Sequence, residues 1–556
     1  MLYMDAKKGF FMNNVSDAPN IIVLMTDQQR WDALGCAGNT RIQTPNLDRL
    51  AASGVNFRQA CCPTPLCVPS RMSFITGLRA SRHRYPWNHA LPGPVPEHPT
   101  LMTLLHRERY HCQGVGKMHF DGRLYGFQDL KSMEEAVTFR VDDDYLMYLK
   151  EQGVRTRHPQ GLRDLLYYQP QTSGIPVEHS QSAWVARESV EFLREHIRHR
   201  AGRPFMLWSS WIAPHPPFAP CAPYDSMYDP HDMELPVFPE RPSSTLPSVH
   251  GARGRLDGAH LDEDRIRRIR ALYYGQVSQV DDGVGLILSA LEELGLAENT
   301  VVLFLSDHGD MLGDHGLAQK NVPYEASVRT PFLLRWPGRT EAGRVRDDLV
   351  GNEDFLATIV DELGIDRDPG AAPLVGRSLL GAKGGGLAES RDAYFMDYGQ
   401  GEGRWVAMRT KRYKYAFWAR GGFEELYDLE ADPYEIRNLA GESPERTARM
   451  RAAVLEWERE NGFADSIDGK AFRAFPRHAV DREVPRCVTV NDGRWAENLP
   501  ATEQDSVESY AEAFTRAISK EKTLSPEKLS LAEYKHKGGQ SLVGTPWEQA
   551  WNDVGE

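Results

Sequence analysis

Four short stretches of the chain are apolar at nearly every position: 20–25 (NIIVLM), 204–212 (PFMLWSSWI), 300–305 (TVVLFL) and 331–336 (PFLLRW). Runs of this length, rich in β-branched and aromatic residues, predict strands buried on both faces. Helical spacing separates them. Leu47, Leu50 and Ala51 follow Thr44-Pro45-Asn46 and stop at Gly54, which predicts a short helix, and a further buried strand is expected before the cysteine-rich run from Cys61. Residues 100–106 (TLMTLLH) read as another short helix, and 113–120 as a strand end entering a glycine loop. Beyond Ser180 or Ser182, either of which can cap, Ala186, Val190, Leu193 and Ile197 share one helical face. The longest pattern covers 262–294, from Ile266 through Tyr273, Val280 and Ile287 to Leu294, with Gly295 at its C-cap. Buried strands alternating with amphipathic helices predict an α/β/α sandwich around a large, mostly parallel sheet.

The pattern changes along the chain. Residues 1–19 read as a loose N-terminal arm and 20–380 as the α/β domain, inside which 121–178 look like an irregular insertion covering a site, with an acidic cluster at Asp142, Asp143 and Asp144. GAKGGG at 381–386 reads as a linker. Residues 405–418 alternate as one half-exposed strand would; with 425–429 and a helix around 450–457 they predict a smaller α+β domain with an antiparallel sheet over 387–462. The last segment, 463–556, is a polar, turn-rich extension with one amphipathic helix (Val507, Tyr510, Phe514, Ala517, Ile518) and aromatic anchors at Trp495, Trp547 and Trp551. Such a tail is expected to pack on the core or on a neighbouring subunit, which favours a homo-oligomer.

A net charge of −13 in 556 residues argues against a nucleic-acid partner, so any anion site must be a local cluster of cations. No run approaches the length of a membrane span, and the first residues lack the apolar core of a secretory signal. The seven cysteines (36, 61, 62, 67, 112, 221, 487) are few and irregular, which suits a reducing compartment, and a cytoplasmic protein is expected. Cys36, Cys61, Cys62 and Cys112 read as core thiols.

The chemistry gathers where buried strands stop. The first apolar run ends at Thr26-Asp27-Gln28 and the third at Ser306-Asp307-His308-Gly309-Asp310. Each delivers a pair able to bind a metal at the carboxyl end of a strand, where α/β folds place ligands. Two carboxylates, an amide oxygen and an imidazole suit calcium, with manganese or magnesium as alternatives. His215, held between Pro214 and Pro216, is a rigid candidate acid or base. Lys117 and His119 lie two apart and would point the same way on an extended backbone; Lys320 follows in a loop. Finally, Cys67-Val68-Pro69-Ser70-Arg71 places a thiol four residues from a permanent cation, too close for a phosphatase-type loop.

This last string resembles the C-x-P-S-R signature of type I sulfatases, in the alkaline phosphatase superfamily, whose cysteine an external enzyme oxidises to formylglycine. Asp27-Gln28, Gly116-Lys117-x-His119, Pro214-His215-x-Pro217 and Ser306-Asp307-His308-Gly309 fall in that family's order, and the likeness covers roughly residues 20 to 460. The resemblance implies a sulfuric ester hydrolase acting on an aryl, alkyl or choline-like sulfate. Cys67, as formylglycine, would attack sulfur as its hydrate. Asp27, Gln28, Asp307 and His308 would hold one divalent metal with Cys67, and Arg71 would orient the hydrate. Lys117 and Lys320 would bind the sulfate, His215 or Lys320 would protonate the leaving alcohol, and His119 would help expel sulfate and restore the aldehyde. It also implies a formylglycine-generating maturation enzyme as a partner.

Asp27-Gln28 and Asp307-His308 depart from the commoner Asp-Asp and Asp-Asn pairs. They resemble choline sulfatases and phosphonate monoester hydrolases, which leaves a phosphonate monoester or phosphodiester hydrolase as the alternative on the same site. Lys117-x-His119 is the sulfatase form and tilts the reading to a sulfatase. A non-catalytic metal-binding protein with an unmodified Cys67 is the rival of another class. For the organic half of the substrate, Trp87, Trp211, Tyr145 or a tail tryptophan are candidates for a cation cage; His83, Asn88 and the acids at 142–144 are candidates for the pocket wall, and His315 has no assigned role.

Overall fold

The computed structural model describes residues 18–476 apart from 121, 136–142, 155, 157–158, 162–167, 169, 201, 239–262 and 382–385. Most of the N-terminal arm, Asp142, the helix expected at 507–518, Cys487 and the tail tryptophans lie outside the described residues.

The main sheet is built from β1 (Asn20–Asp27), β2 (Val55–Cys61), β3 (His111–Gly116), β4 (Asp129–Ser132), β5 (Phe205–Pro214), β6 (Thr300–Ser306), β7 (Phe332–Arg335) and β8 (Arg344–Gly351). Their order across it is β4-β3-β5-β1-β6-β7-β2-β8. β1 runs parallel to β5 and β6, β3 to β4 and β5, and β2 to β8, while β7 is antiparallel to both neighbours. Every residue of β1, β5 and β6 is buried, as the unbroken apolar runs require.

The helices are α1 (Pro45–Ser53), α2 (Cys67–Thr76), α3 (Ala80–His83), α4 (Leu101–Arg107), α5 (Asp144–Glu151), α6 (Gln181–Arg200), α7 (Glu263–Glu293), α8 (Glu325–Val328), α9 (Asp354–Leu363) and α10 (Pro444–Asn461). Successive side chains of a strand point to opposite faces, so β1 belongs to two cores. Ile21, Val23 and Met25 pack with Phe74 of α2, Leu105 of α4 and Phe355 of α9. Ile22 and Leu24 pack with Leu47 of α1, Leu146 of α5, Trp184 of α6 and Val284 of α7. Each aliphatic side chain so buried contributes about 1.5–3 kcal/mol, and helices on both faces make the expected three-layer sandwich.

The second sheet is antiparallel, β9 (Tyr394–Tyr398), β10 (Trp405–Arg409), β11 (Tyr413–Trp418) and β12 (Phe423–Asp428), in the order β12-β11-β10-β9. Here 405–418 is two strands rather than one. The backbone turns at Thr410, whose N–H reaches the Tyr413 carbonyl at 2.8 Å, and the alternation resumes one position out of step, with Tyr413, Tyr415 and Phe417 on the face of Val406 and Met408. One face of this sheet packs on Met450 and Val454 of α10; the other sends Trp405 and Trp418 against Cys62, Tyr324 and Val328 of the sandwich.

Other expectations change as well. The 121–178 segment contributes an edge strand, β4, and a helix, α5, to the main fold. Asp143 caps α5, accepting the Leu146 N–H at 2.9 Å, and Asp144 accepts from Ser132, so these acids build the segment instead of lining a pocket. Ser180, not Ser182, caps α6, accepting the Ala183 N–H at 3.3 Å; Ser182 lies inside the helix. No helix among the described residues is long and apolar enough to cross a membrane.

Candidate active site

Parallel strands end on one side of their sheet, and that edge collects the site. Asp27 closes β1 opposite Pro214 of β5, and Thr26 pairs with Ser306 of β6, so Gln28, His215 and Asp307-His308 leave adjacent strands together. Gly116 closes β3 beside Ser210 at φ +92°, and a Cβ there would meet the Ser210 carbonyl oxygen at 2.0 Å. Glycine alone fits while the chain swings Lys117 inward. Since β3 stops at Gly116 and His119 has φ +56°, Lys117 and His119 converge through a turn and not by strand alternation. Cys67 comes from the other direction, as the first residue of α2, which Gly77 closes in the left-handed conformation.

Cys67 Sγ lies 3.3 Å from His308 Nε2 and 3.7 Å from Asp27 Oδ1. Donor atoms of Asp27, Cys67, Asp307 and His308 all fall within 4.8 Å of one another, and all four residues are buried. The His308 Nδ1 atom is 3.0 Å from the Gly309 carbonyl, which can only accept. That fixes the proton on Nδ1 and turns the Nε2 lone pair to the cluster, as a metal ligand requires. Asp27 gives Oδ2 to Lys117 and, at 3.4 Å, to Arg71, leaving Oδ1 for the cluster. Two carboxylates and an imidazole fit a divalent cation. The Gln28 side-chain oxygen accepts from Lys320, and its backbone N–H reaches Asp307 Oδ1 at 3.1 Å.

Arg71 binds this edge together, donating to Asp307 Oδ2 (2.8 Å), the Lys117 carbonyl (2.8 Å) and Ser210 Oγ (3.0 Å). Nearby, Lys320 Nζ lies 3.0 Å from His215 Nε2, whose Nδ1 faces the Pro216 carbonyl at 2.7 Å. His119 brings a ring nitrogen within 4.8 Å of Cys67 Sγ and a Glu135 oxygen.

Burial opposes ionisation of Asp27, but Lys117, with His215, His308 and Arg71 behind it, holds its carboxyl well below the usual range. Burial also works against the Lys117 ammonium, and Asp27 more than compensates, raising its pKa. Burial, then Lys117, pushes His119 well below an ordinary imidazole. Burial and Asp27 push the Cys67 thiol up to about 11. As a plain cysteine it would be protonated at neutral pH and a poor nucleophile.

All the expected site residues therefore lie at one strand edge. Two acids join them that the sequence did not single out. Glu135 pairs with Lys117 and sits 3.5 Å from His215 Nε2; Asp310 accepts from the Gln28 amide. Glu135 carries no local signal, because it reaches the site from the segment that read as irregular. Asp310 stood in the quoted motif but had no partner to reveal its use.

Several secondary candidates are held in other contacts. Trp211 and Tyr145 are fully buried in the core and bonded to the Ser182 and His179 carbonyls, so neither can cage a ligand. His83 is buried beneath α2, 3.1 Å from Ser73 Oγ, and Asn88 accepts the Val68 N–H at 3.1 Å. His315 packs against Tyr324, with ring centroids 4.3 Å apart and planes tilted by 33°, and bonds the Tyr434 carbonyl. Trp87 is partly buried beside the second sheet.

Comparison with known proteins follows the same geometry. A family model described as "Sulfatase" matches residues 19–365, and one described as "N-sulphoglucosamine sulphohydrolase, C-terminal" matches 313–457. The chain is 31% identical over 495 residues to an arylsulfatase of Clostridium perfringens, covering 82% of this chain and 98% of that one. It is 29% identical over 444 residues to a choline-sulfatase of Rhizobium meliloti, covering 76% and 82%. The crystal structure of a phosphonate monoester hydrolase of Agrobacterium radiobacter superposes with a TM-score of 0.69 at 25% identity, covering 80% of this chain and 96% of that one.

Proposed function

Because this chain belongs to the sulfatase family and is a sulfatase, we propose that it hydrolyses a sulfate monoester, aryl, alkyl or choline-like, at the edge where Cys67 meets Asp27, Asp307 and His308. The observation that carries this is the placement of Cys67 Sγ 3.3 Å from a metal-type histidine, with the Lys320 and Lys117 charges near enough to act on the thiol. In this reading a maturation enzyme converts Cys67 to formylglycine, whose hydrate supplies an oxygen nucleophile. Asp27, Gln28, Asp307 and His308 would hold a divalent ion, calcium foremost, which lowers the pKa of a neighbouring hydroxyl. The chain's own residues do the rest. Arg71 fixes both carboxylates; Lys117 and Lys320 offer fixed positive charge to the sulfate oxygens. The proton shared between Lys320 Nζ and His215 Nε2 goes to the leaving alcohol oxygen, and His119, held neutral, takes a proton in the return step.

Two measurements test this together. The Cys67 peptide should carry an aldehyde by mass spectrometry, and the protein should cleave an aryl sulfate faster than phenylphosphonate or phosphodiester esters assayed beside it. An unmodified thiol in protein from the native host removes the nucleophile. A preference for the phosphonate ester would move the function to the alternative that the Agrobacterium likeness keeps open.

A further inference from the structure

Gln28 stands where a second carboxylate is commoner, and an amide has two unlike ends. Its oxygen can bind a cation; its nitrogen can only donate. A glutamine at a cation site therefore needs a neighbour that decides which end faces in. Asp310 has that position. Its Oδ1 accepts the Leu312 N–H at 2.8 Å and the Tyr168 hydroxyl at 2.7 Å, and its Oδ2 accepts the Gln28 side-chain nitrogen. On the far side the amide oxygen meets Lys320, which can only donate. Gln28 and Asp310 are both fully buried, so no water competes to turn the amide around. The Gln28 backbone is held too, at φ +69° with its N–H on Asp307. Tyr168 also accepts the Gln319 N–H at 2.6 Å, which ties it to the loop bearing Lys320.

We propose that Asp310 is a positioning residue: it holds the Gln28 amide by its nitrogen, so that the oxygen is presented to the cation site of Asp27, Asp307 and His308. This rests on the reading of that cluster as a divalent-metal site. A carboxylate at position 28 would need no such orientation and would be repelled by Asp310, so the two positions should be exchangeable only as a pair.

The test reads Ca2+ affinity of the full chain by competition with a fluorescent chelator, with thermal melts as the folding control. Asp310→Asn sets an amide, which can donate as well as accept, against the Gln28 nitrogen and loosens its hold, and affinity should fall about 10–100-fold. Gln28→Glu sets two carboxylates against each other and should also weaken binding. When both substitutions are combined, the amide nitrogen introduced at position 310 can donate to the carboxylate introduced at position 28, and affinity should return to within about threefold of wild type. A merely structural Asp310 would instead make the two losses add. Should Asp310→Asn fail to fold, the double variant decides: recovered binding supports the proposal and lost binding overturns it. Unchanged affinity in Asp310→Asn overturns this inference alone. A wild type that binds neither calcium, manganese nor magnesium overturns the metal reading, and this inference with it.

Discussion

Arg71 is completely buried and uses all three of its nitrogens, on two carboxylates, a carbonyl and a hydroxyl. A lysine has one donor group on a flexible stem and cannot satisfy that fork. Arg71→Lys should lower both activity and metal affinity by about 10–100-fold, because Asp27 and Asp307 lose the group that orients them; steady-state kinetics and chelator competition would read the two losses. His83 makes a different prediction. Burial pushes its imidazole from an ordinary 6.5 to about 3, so the folded chain keeps it neutral. Below 6.5 the unfolded chain takes up a proton that the folded chain refuses. Its stabilising share is therefore intact above 6.5 and drains away as pH falls towards 3. From about pH 7 to pH 5 the wild type should lose ~2 kcal/mol more than His83→Gln, measured by urea denaturation at each pH.

At the scale of elements, the site depends on where strands stop. The stops at Asp27 and Ser306 were legible, since a fully buried strand shows as an apolar run and its end as the first polar pair. The direction the chain takes next was not. Gly116 admits the sharp departure of Lys117 only because its missing Cβ leaves room for the Ser210 carbonyl. Gly116→Ala should lower the melting temperature by several degrees, as expected for a clash and a strained φ of about 2 kcal/mol or more. It should also abolish turnover, since β3 and β5 must part and carry Lys117 off Asp27; calorimetry and the aryl sulfate assay check the two effects. Gly77 ends α2 in the left-handed conformation, a cap that is a local property of glycine.

At the scale of the molecule, the two sheets are joined by buried charge. Glu325 of α8 accepts from Arg409 Nε and Nη2, both at 2.9 Å, and from Lys414 of β11 at 2.9 Å. Burial opposes its ionisation, but Arg409 and Lys414 hold its carboxyl far below the usual range. Glu325→Gln leaves the buried Arg409 without its carboxylate and Lys414 with Glu435 alone, and stability should fall by about 3–5 kcal/mol in urea denaturation. Because Glu325 lies just beyond the Lys320 loop, loosening the join should also cost activity in the sulfate ester assay. Nothing local in the sequence reveals this use of Glu325, as its partners lie more than eighty residues away in another sheet.

The sequence by itself determined the layered fold, the strand ends that carry Asp27 and Asp307, and the Cys67–Arg71 string. Each of these follows from local constraints: burial on two faces permits only apolar side chains, and a cap or a metal ligand restricts the residue types at neighbouring positions. Only the tertiary structure decided that Glu135 joins Lys117, that Asp310 holds Gln28, that Tyr168 reaches Asp310, and that Trp211 and Tyr145 are core. Those outcomes depend on how segments far apart in the chain dock against each other, and a buried polar group takes whichever complementary partner that docking brings within hydrogen-bond reach.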